Sequence, residues 1–99
     1  MNEKKKLIIE QTFTLAIKNH KKNNFQISEN LYKEVLKKNP NHFEALYYLG
    51  ILLGQIKRFD SAIPLLKKAI QTKPNHAIAL NNLGNMQGEL GEYQKAINS

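Results

Sequence analysis

A segment of the chain repeats at a spacing of 34 residues, and this repeat limits the possible folds more than any other feature. The segment NPNHFEALYYLG at residues 39–50 returns as KPNHAIALNNLG at residues 73–84. The same residue type occurs 34 positions later, without any gap, for Pro40, His42, Leu46 and Gly50. A spacing that is kept over so many positions indicates structural units that stack on one another.

Within one repeat, the apolar residues follow the period of an α-helix. Ala45, Leu46, Leu49 and Leu53 lie on one helical face, so we predict a first helix that ends near Gly54.

A second helix is predicted from about Phe59 to Gln71, with Asp60 or Ser61 as the N-cap. Pro74 disfavours helical geometry at the residue before it and therefore ends this helix. Each repeat is thus predicted to be a pair of helices followed by a turn that contains proline.

This pattern resembles the tetratricopeptide repeat, a 34-residue unit with the signature W-x2-L-G-x2-Y, A-x3-F and P. The signature positions are occupied here by Leu46, Leu49, Gly50, Leu53, Ala62, Leu66 and Pro74. The resemblance implies an all-α fold, namely a right-handed α-solenoid of antiparallel helix pairs. We expect about two and a half repeats, the third being truncated part-way through its second helix, after Ala96 and Ile97.

The chain is expected to form a single domain over residues 1–99. Its predicted parts are a basic N-terminal flank at residues 1–6, repeats at about 9–42 and 43–76, and an incomplete repeat at 77–99. Small residues at Gly50 and Gly84, opposite Ala62 and Ala96, are expected to let the paired helices approach closely. Gly91 and Tyr93 match the turn between the paired helices of the family.

Composition and charge restrict the possible functions. The chain has no cysteine, which excludes disulfides, thiolate zinc sites and cysteine nucleophiles. Its net charge is +7, but the basic residues are dispersed and Arg58 is the only arginine, so nucleic-acid binding is the weakest hypothesis. No apolar run reaches the length of a membrane span and no signal peptide is recognisable, so we expect no membrane association and a cytoplasmic location.

The repeated histidines raise the question of a metal site. His42 and His76 have neither a cysteine nor a second histidine at a ligand spacing, so they are predicted to be exposed residues at helix starts. His20, among asparagines and lysines, is predicted to lie in a solvated turn. The glycine-rich segment at residues 84–91 lacks the G-K-[ST] of a phosphate loop. We therefore expect no metal, no cofactor and no catalytic site, and we predict that the chain is not an enzyme.

The resemblance also implies a concave groove, lined by the first helix of each repeat, that holds an extended peptide. The candidate groove residues are Phe13, Ile17, Tyr47, Tyr48, Ile51, Asn81, Asn82 and Asn85. Tyr47 and Tyr48 lie about 100° apart on a helix, so they cannot both enter one core face. The asparagine amides can hold a peptide backbone without reading its sequence, as in the similar repeats of the O-GlcNAc transferase superhelix.

A chaperone-type clamp for a C-terminal carboxylate is rejected, because most of its lysine, arginine and asparagine positions hold other residues. Those positions are occupied here by Phe13, Ile17, Tyr48, Ile78 and Asn82.

Two hypotheses, which assign different classes of function, are therefore favoured over nucleic-acid binding. The first is a non-catalytic protein–protein interaction module that binds an extended peptide or a partner segment. The second is the N-terminal targeting region of a larger enzyme, such as a glycosyltransferase or sulfotransferase, whose catalytic domain is absent from the sequence. Self-association through the truncated C-terminal edge at Ala96 and Ile97 is an additional expectation.

Overall fold

The computed structural model describes residues 2–98, which form five α-helices and no strand. The helices are α1 (Glu3–Lys21), α2 (Phe25–Lys38), α3 (Phe43–Gln55), α4 (Phe59–Thr72) and α5 (Ala77–Asn98). Helix α1 packs against α2, and α3 packs against α4; contacts of α2 with α3 and of α4 with α5 join the pairs into a row. The prediction of an all-α solenoid is confirmed.

The main core lies where the two helix pairs meet. The predicted apolar face of α3 is confirmed, since Ala45, Leu46, Leu49 and Leu53 are all buried. The central cluster draws on every helix, and its buried members are Ala16, Tyr32, Leu49, Leu52, Leu53, Phe59, Ala62, Leu66 and Met86. Each repeat therefore depends on its neighbour for a closed core.

Helix α4 was correctly predicted to begin at Phe59, and it ends at Thr72, one residue beyond the predicted end. The predicted N-cap was wrong, because the capping position is Arg58 and its side chain makes no capping hydrogen bond. Asp60 instead lies in the first turn, where its carboxylate faces the positive end of the helix dipole.

Helix α1 begins earlier than the sequence suggested. Asn2 is its N-cap, and the Asn2 Oδ1 atom accepts a hydrogen bond from the Lys5 backbone N–H at 2.7 Å. The lysines at residues 4–6, which we had assigned to a flank, therefore lie within the first two turns of α1.

The turns inside the first two repeats share one backbone geometry. Asn23 and Lys57, 34 residues apart, both have positive φ, at 63° and 65°. In both turns the next residue closes the loop, since the Asn24 N–H donates to the Asn19 carbonyl and the Arg58 N–H donates to the Leu53 carbonyl. The left-handed conformation costs a residue other than glycine roughly 1 kcal/mol, so the turn is maintained by the packing of the helices that it joins.

The third repeat departs from the prediction. Gly91 occupies the position equivalent to Asn23 and Lys57, but α5 is continuous through it to Asn98, so the predicted turn at Gly91 and Tyr93 is wrong. Ala96 is exposed rather than packed against Gly84, and Ile97 is 66% exposed. Residues 92–98 form about two helical turns, and a second helix of that length buries too little apolar surface to offset another left-handed turn.

The two equivalent glycines therefore have different surroundings. A Cβ atom at Gly50 would lie 3.0 Å from Leu66 Cγ and 3.4 Å from the Ala62 carbonyl oxygen, whereas a Cβ atom at Gly84 would meet nothing within 4 Å. The predicted close approach is thus confirmed between α3 and α4 and absent at Gly84.

This difference predicts opposite effects for one substitution at equivalent positions. Gly84→Ala should raise the free energy of unfolding by about 0.5–1 kcal/mol, because alanine favours a helix and finds open space. Gly50→Ala should lower it by about 1 kcal/mol, because the methyl group presses on the fully buried Leu66. Urea denaturation of both variants measures the difference, and equal effects would contradict the close contact at Gly50 and the open space at Gly84.

A buried carboxylate links the two helix pairs. Glu29 of α2 is 4% exposed and pairs with Lys33 at 2.8 Å and with Arg58, before α4, at 3.0 Å. The hydrogen bond from Lys33 and the charges of Lys33 and Arg58 lower the pKa of Glu29 below its ordinary value of 4.5, although burial opposes this shift.

Glu29 should consequently contribute to acid stability. Because its pKa is lower in the folded chain, its stabilising contribution is complete above about pH 4.5 and is lost as the pH falls through the folded-state pKa. Glu29→Gln should therefore reduce the free energy of unfolding at pH 7 and make that free energy decline less steeply as the pH falls below about 4.5. Thermal unfolding followed by circular dichroism measures both effects. Glu34→Gln, an exposed substitution on the same helix, is the control and should leave the acid slope unchanged.

Candidate functional site

A groove of about 640 Å³ runs between α1 and α3. Its lining residues are Phe13, Ile17, His20, Lys21, Asn23, Glu44, Tyr48, Ile51 and Gln55. Four of the predicted groove residues, Phe13, Ile17, Tyr48 and Ile51, are thereby brought together. They form an apolar surface with polar groups at both ends.

The aromatic wall of the groove is built by contacts between the two helices. The ring of Phe13 lies 6.1 Å from the Tyr48 ring and 5.2 Å from the His42 ring, measured between centroids. Tyr48 meets Tyr47 edge-on at 5.0 Å, yet it remains 37% exposed. Its hydroxyl makes no hydrogen bond to residues 2–98, so its polar end is available to a ligand.

Tyr47 lies on the other side of α3 and faces α5. Its ring stacks on Phe43 at 5.8 Å, and its hydroxyl accepts a hydrogen bond from Asn82 Nδ2 at 2.9 Å. Burial raises the pKa of Tyr47. Tyr47 and Asn82 thus form a contact between repeats, outside the groove between α1 and α3.

The three predicted asparagines do not form one site with the apolar groove residues. Asn81 and Asn85 are exposed and make no hydrogen bonds to other described residues, whereas Asn82 is engaged by Tyr47. Asn85 lines a different cleft, beside Gly84, Gly88 and Tyr93, that α5 forms with the turn between α3 and α4.

His20 was wrongly predicted to lie in a solvated turn. Its Nδ1 atom lies 2.9 Å from the Tyr32 hydroxyl, and its Nε2 atom lies 2.7 Å from Gln55 Oε1. Its ring also packs edge-on against Phe25 at 5.8 Å. His20 therefore joins α1 to both α2 and α3 at one end of the groove.

Tyr32, the buried partner of His20, has its pKa raised to about 12, mainly by burial. The repeat pattern gave no sign of this network, because the position equivalent to His20 in the second repeat is Gly54.

The repeated histidines act at helix starts, as predicted, but they are not exposed. His42 is 16% exposed, and its Nδ1 atom accepts a hydrogen bond from the Ala45 N–H at 3.1 Å. His76 accepts equally from the Ala79 N–H, and its ring lies 4.9 Å from that of Phe43. Within residues 2–98, no group of three histidine or carboxylate side chains could hold a metal ion. None of the described helices is both long and apolar enough to cross a membrane.

The two ends of the groove differ in charge. Lys21 lines one end, and neither Lys21 nor the neighbouring Lys18 and Lys22 forms an ion pair with a described residue. Glu44 lines the other end, where it pairs with Lys73 at 3.5 Å.

Comparison with family models gives one consistent result. A model described as tetratricopeptide repeat matches residues 21–77, and a second model with the same description matches residues 65–98. None of the curated protein sequences matches the chain significantly.

Many solved structures resemble the chain, and three proteins among them match it over most of its length. MamA from Desulfovibrio magneticus RS-1 has 29% sequence identity and a TM-score of 0.80, over 91% of this chain and 51% of that one. The C-terminal TPR-containing domain of a Plasmodium falciparum protein described as FK506-binding has 27% identity and a TM-score of 0.85, over 93% of this chain and 61% of that one.

The third structure is an O-GlcNAc transferase mutant from Thermobaculum terrenum, with 29% identity and a TM-score of 0.81. The match covers 87% of this chain and 16% of the transferase. The chain thus spans about half the length of MamA and a small part of the transferase.

The His20 network predicts a measurable coupling between helices. His20→Leu should lower the free energy of unfolding by about 1–3 kcal/mol, because it removes the hydrogen bond between His20 Nδ1 and the buried Tyr32 hydroxyl. In the Tyr32→Phe background the same change should cost about 1 kcal/mol less. Urea denaturation of the two single variants and the double variant gives this difference, and strict additivity would contradict the hydrogen bond.

Proposed function

The chain belongs to the tetratricopeptide repeat family, and from this membership we propose that it is a non-catalytic protein-interaction module. In this proposal the groove between α1 and α3 binds an extended peptide segment of a partner protein. Repeats of this kind are interaction modules in general, and the aligned region of the Plasmodium protein is itself a TPR-containing domain.

The observation that carries the proposal is the partly exposed apolar surface between α1 and α3. Phe13, Ile17, Tyr48 and Ile51 converge there, and their side chains come from two different repeats. Tyrosine is enriched where partners bind, because it offers a large apolar area and a polar end at low entropic cost. A volume of about 640 Å³ accommodates one bulky apolar side chain and the backbone on either side of it.

The groove is also largely preformed. The His20 hydrogen bonds hold α1 against α3 at one end, and the contact between Phe13 and His42 holds them at the other. A preformed site binds with less loss of conformational entropy than a site that must be ordered.

A second candidate function is supported by the match to the Thermobaculum O-GlcNAc transferase. That enzyme aligns with this chain at 29% identity over 87% of the chain. In this alternative, the repeats are the targeting region of a larger enzyme, and the same groove holds a segment of the protein substrate. Both candidates make the groove a binding site for peptides, and they differ in what is attached to the chain.

Loss of the apolar surface should weaken peptide binding. Heptapeptides can be selected on the wild-type chain from a random library displayed on phage and then measured by isothermal titration calorimetry. We expect them to carry a bulky apolar residue and to bind Ile51→Glu at least tenfold more weakly, because a buried carboxylate would face the apolar ligand.

Ile27→Glu supplies the matched control. Ile27 is exposed on α2 and lies outside the groove, so the same substitution there should leave affinity unchanged. Selected peptides that bind all three proteins equally would place the binding site elsewhere and overturn the proposal.

A further inference from the structure

The lysine end of the groove is lined by Lys21, which pairs with no carboxylate of residues 2–98. Lys18 and Lys21 lie in the last turn of α1, and Lys22 is its C-cap. The sequence has no acidic residue between Glu10 and Glu29, and no described carboxylate pairs with any of the three lysines. This end therefore attracts an anionic group from outside the chain.

At the opposite end the Glu44 carboxylate already has a cationic partner. Glu44 lies 3.5 Å from the Lys73 ammonium group. A basic ligand group would have to compete with Lys73, while an acidic one would be repelled by the Glu44 carboxylate. The groove therefore favours an acidic ligand group, and it does so only at the end lined by Lys21.

The spacing between the apolar surface and Lys21 suits an extended peptide. Lys21 lies one helical turn beyond Ile17, which corresponds to about 6 Å along the helix axis. Two residues of an extended chain cover about 6.6 Å. A side chain two positions away from an apolar residue seated at Ile17 therefore comes level with the Lys21 ammonium group.

We propose, on the basis of the function inferred above, that the partner segment of this groove carries an acidic side chain two positions from its bulky apolar residue. The apolar side chain packs against Phe13, Ile17 and Ile51, and the carboxylate pairs with Lys21. An acidic side chain that is part of the segment differs from a C-terminal carboxylate, whose clamp positions are occupied here by residues such as Phe13 and Tyr48. The preference is local, because it depends on Lys21 and is independent of the total charge of the chain.

Capped peptides test the inference directly. Acetylated and amidated heptapeptides of alanine carry one leucine, and a Glu, Gln or Lys residue stands two positions before or after that leucine. Binding is followed by NMR chemical-shift titration of the isotope-labelled chain. In at least one of the two orders, the Glu peptide should bind about tenfold more tightly than the Lys peptide, with the Gln peptide between them. The difference should largely disappear in about 1 M salt.

Two charge-reversal variants make the test specific. Lys21→Glu should reverse the order, so that the Lys peptide binds more tightly than the Glu peptide. Lys37→Glu changes the net charge equally, but Lys37 lies on α2 outside the groove, so the preference for Glu should remain.

The outcomes separate this inference from the function on which it rests. Equal affinity for the Glu, Gln and Lys peptides, with shifts at Ile17 and Ile51, would overturn the acidic preference and leave the peptide-binding function standing. A preference that Lys37→Glu removes as effectively as Lys21→Glu would also overturn it, because the effect would then come from net charge. No shift at the groove residues with any peptide would overturn both proposals.

Discussion

The close approach of α3 and α4 at Gly50 is the contact on which the rest of the structure depends. Without a side chain at Gly50, Leu66 of α4 can lie directly on the backbone of α3 and become fully buried. This fixes which side of α3 faces its own partner helix. A second side of α3 then faces α1 through Tyr48 and Ile51. A third side faces α5 through Tyr47 and Gly54. At Gly54 a Cβ atom would collide with the Met86 side chain of α5. The groove is therefore a consequence of the packing inside the second repeat, because that packing leaves Tyr48 and Ile51 directed at the first.

The residues that begin the helices also build the contacts between repeats. His42 accepts a backbone hydrogen bond at the start of α3, and this local role holds its ring beside Phe13 of the preceding repeat. His76 does the same at the start of α5, beside Phe43 and Tyr47. A histidine at this position therefore satisfies a backbone group at the helix start and packs as an aromatic residue between neighbouring repeats. The repetition of Pro-Asn-His, which first suggested a metal site, is explained by this double structural role.

The sequence predicted those parts of the structure that depend on periodicity and volume. The helix pairs, the buried face of α3 and the start of α4 all follow from residues spaced at helical intervals. The groove candidates came from the resemblance to the repeat family and not from the spacing. The missed features depend on pairs of residues far apart in the chain. His20 and Gln55 show no relation in the sequence, and neither do Tyr47 and Asn82, yet each pair forms a hydrogen bond between repeats. The error in α5 is of another kind, because Gly91 permits the turn that the repeat pattern predicts. The outcome was decided by the small amount of apolar surface that residues 92–98 could bury.

The ion pairs show that several of the basic residues behind the net charge of +7 are bound to carboxylates within the chain. The only arginine and Lys33 are engaged by the buried Glu29, and Lys73 is engaged by Glu44. Arg58 thus ties the two helix pairs together, and its guanidinium group is committed to a carboxylate on the neighbouring helix. A surface that recognises nucleic acid commonly depends on arginines that are free to contact phosphates and bases, and here the single arginine has a structural role. Of the remaining lysines, those at the end of α1 differ from the rest because one of them, Lys21, lines an apolar groove. A charge beside an apolar surface is partly shielded from water, so it can contribute more to recognition than the same charge on an open helix face.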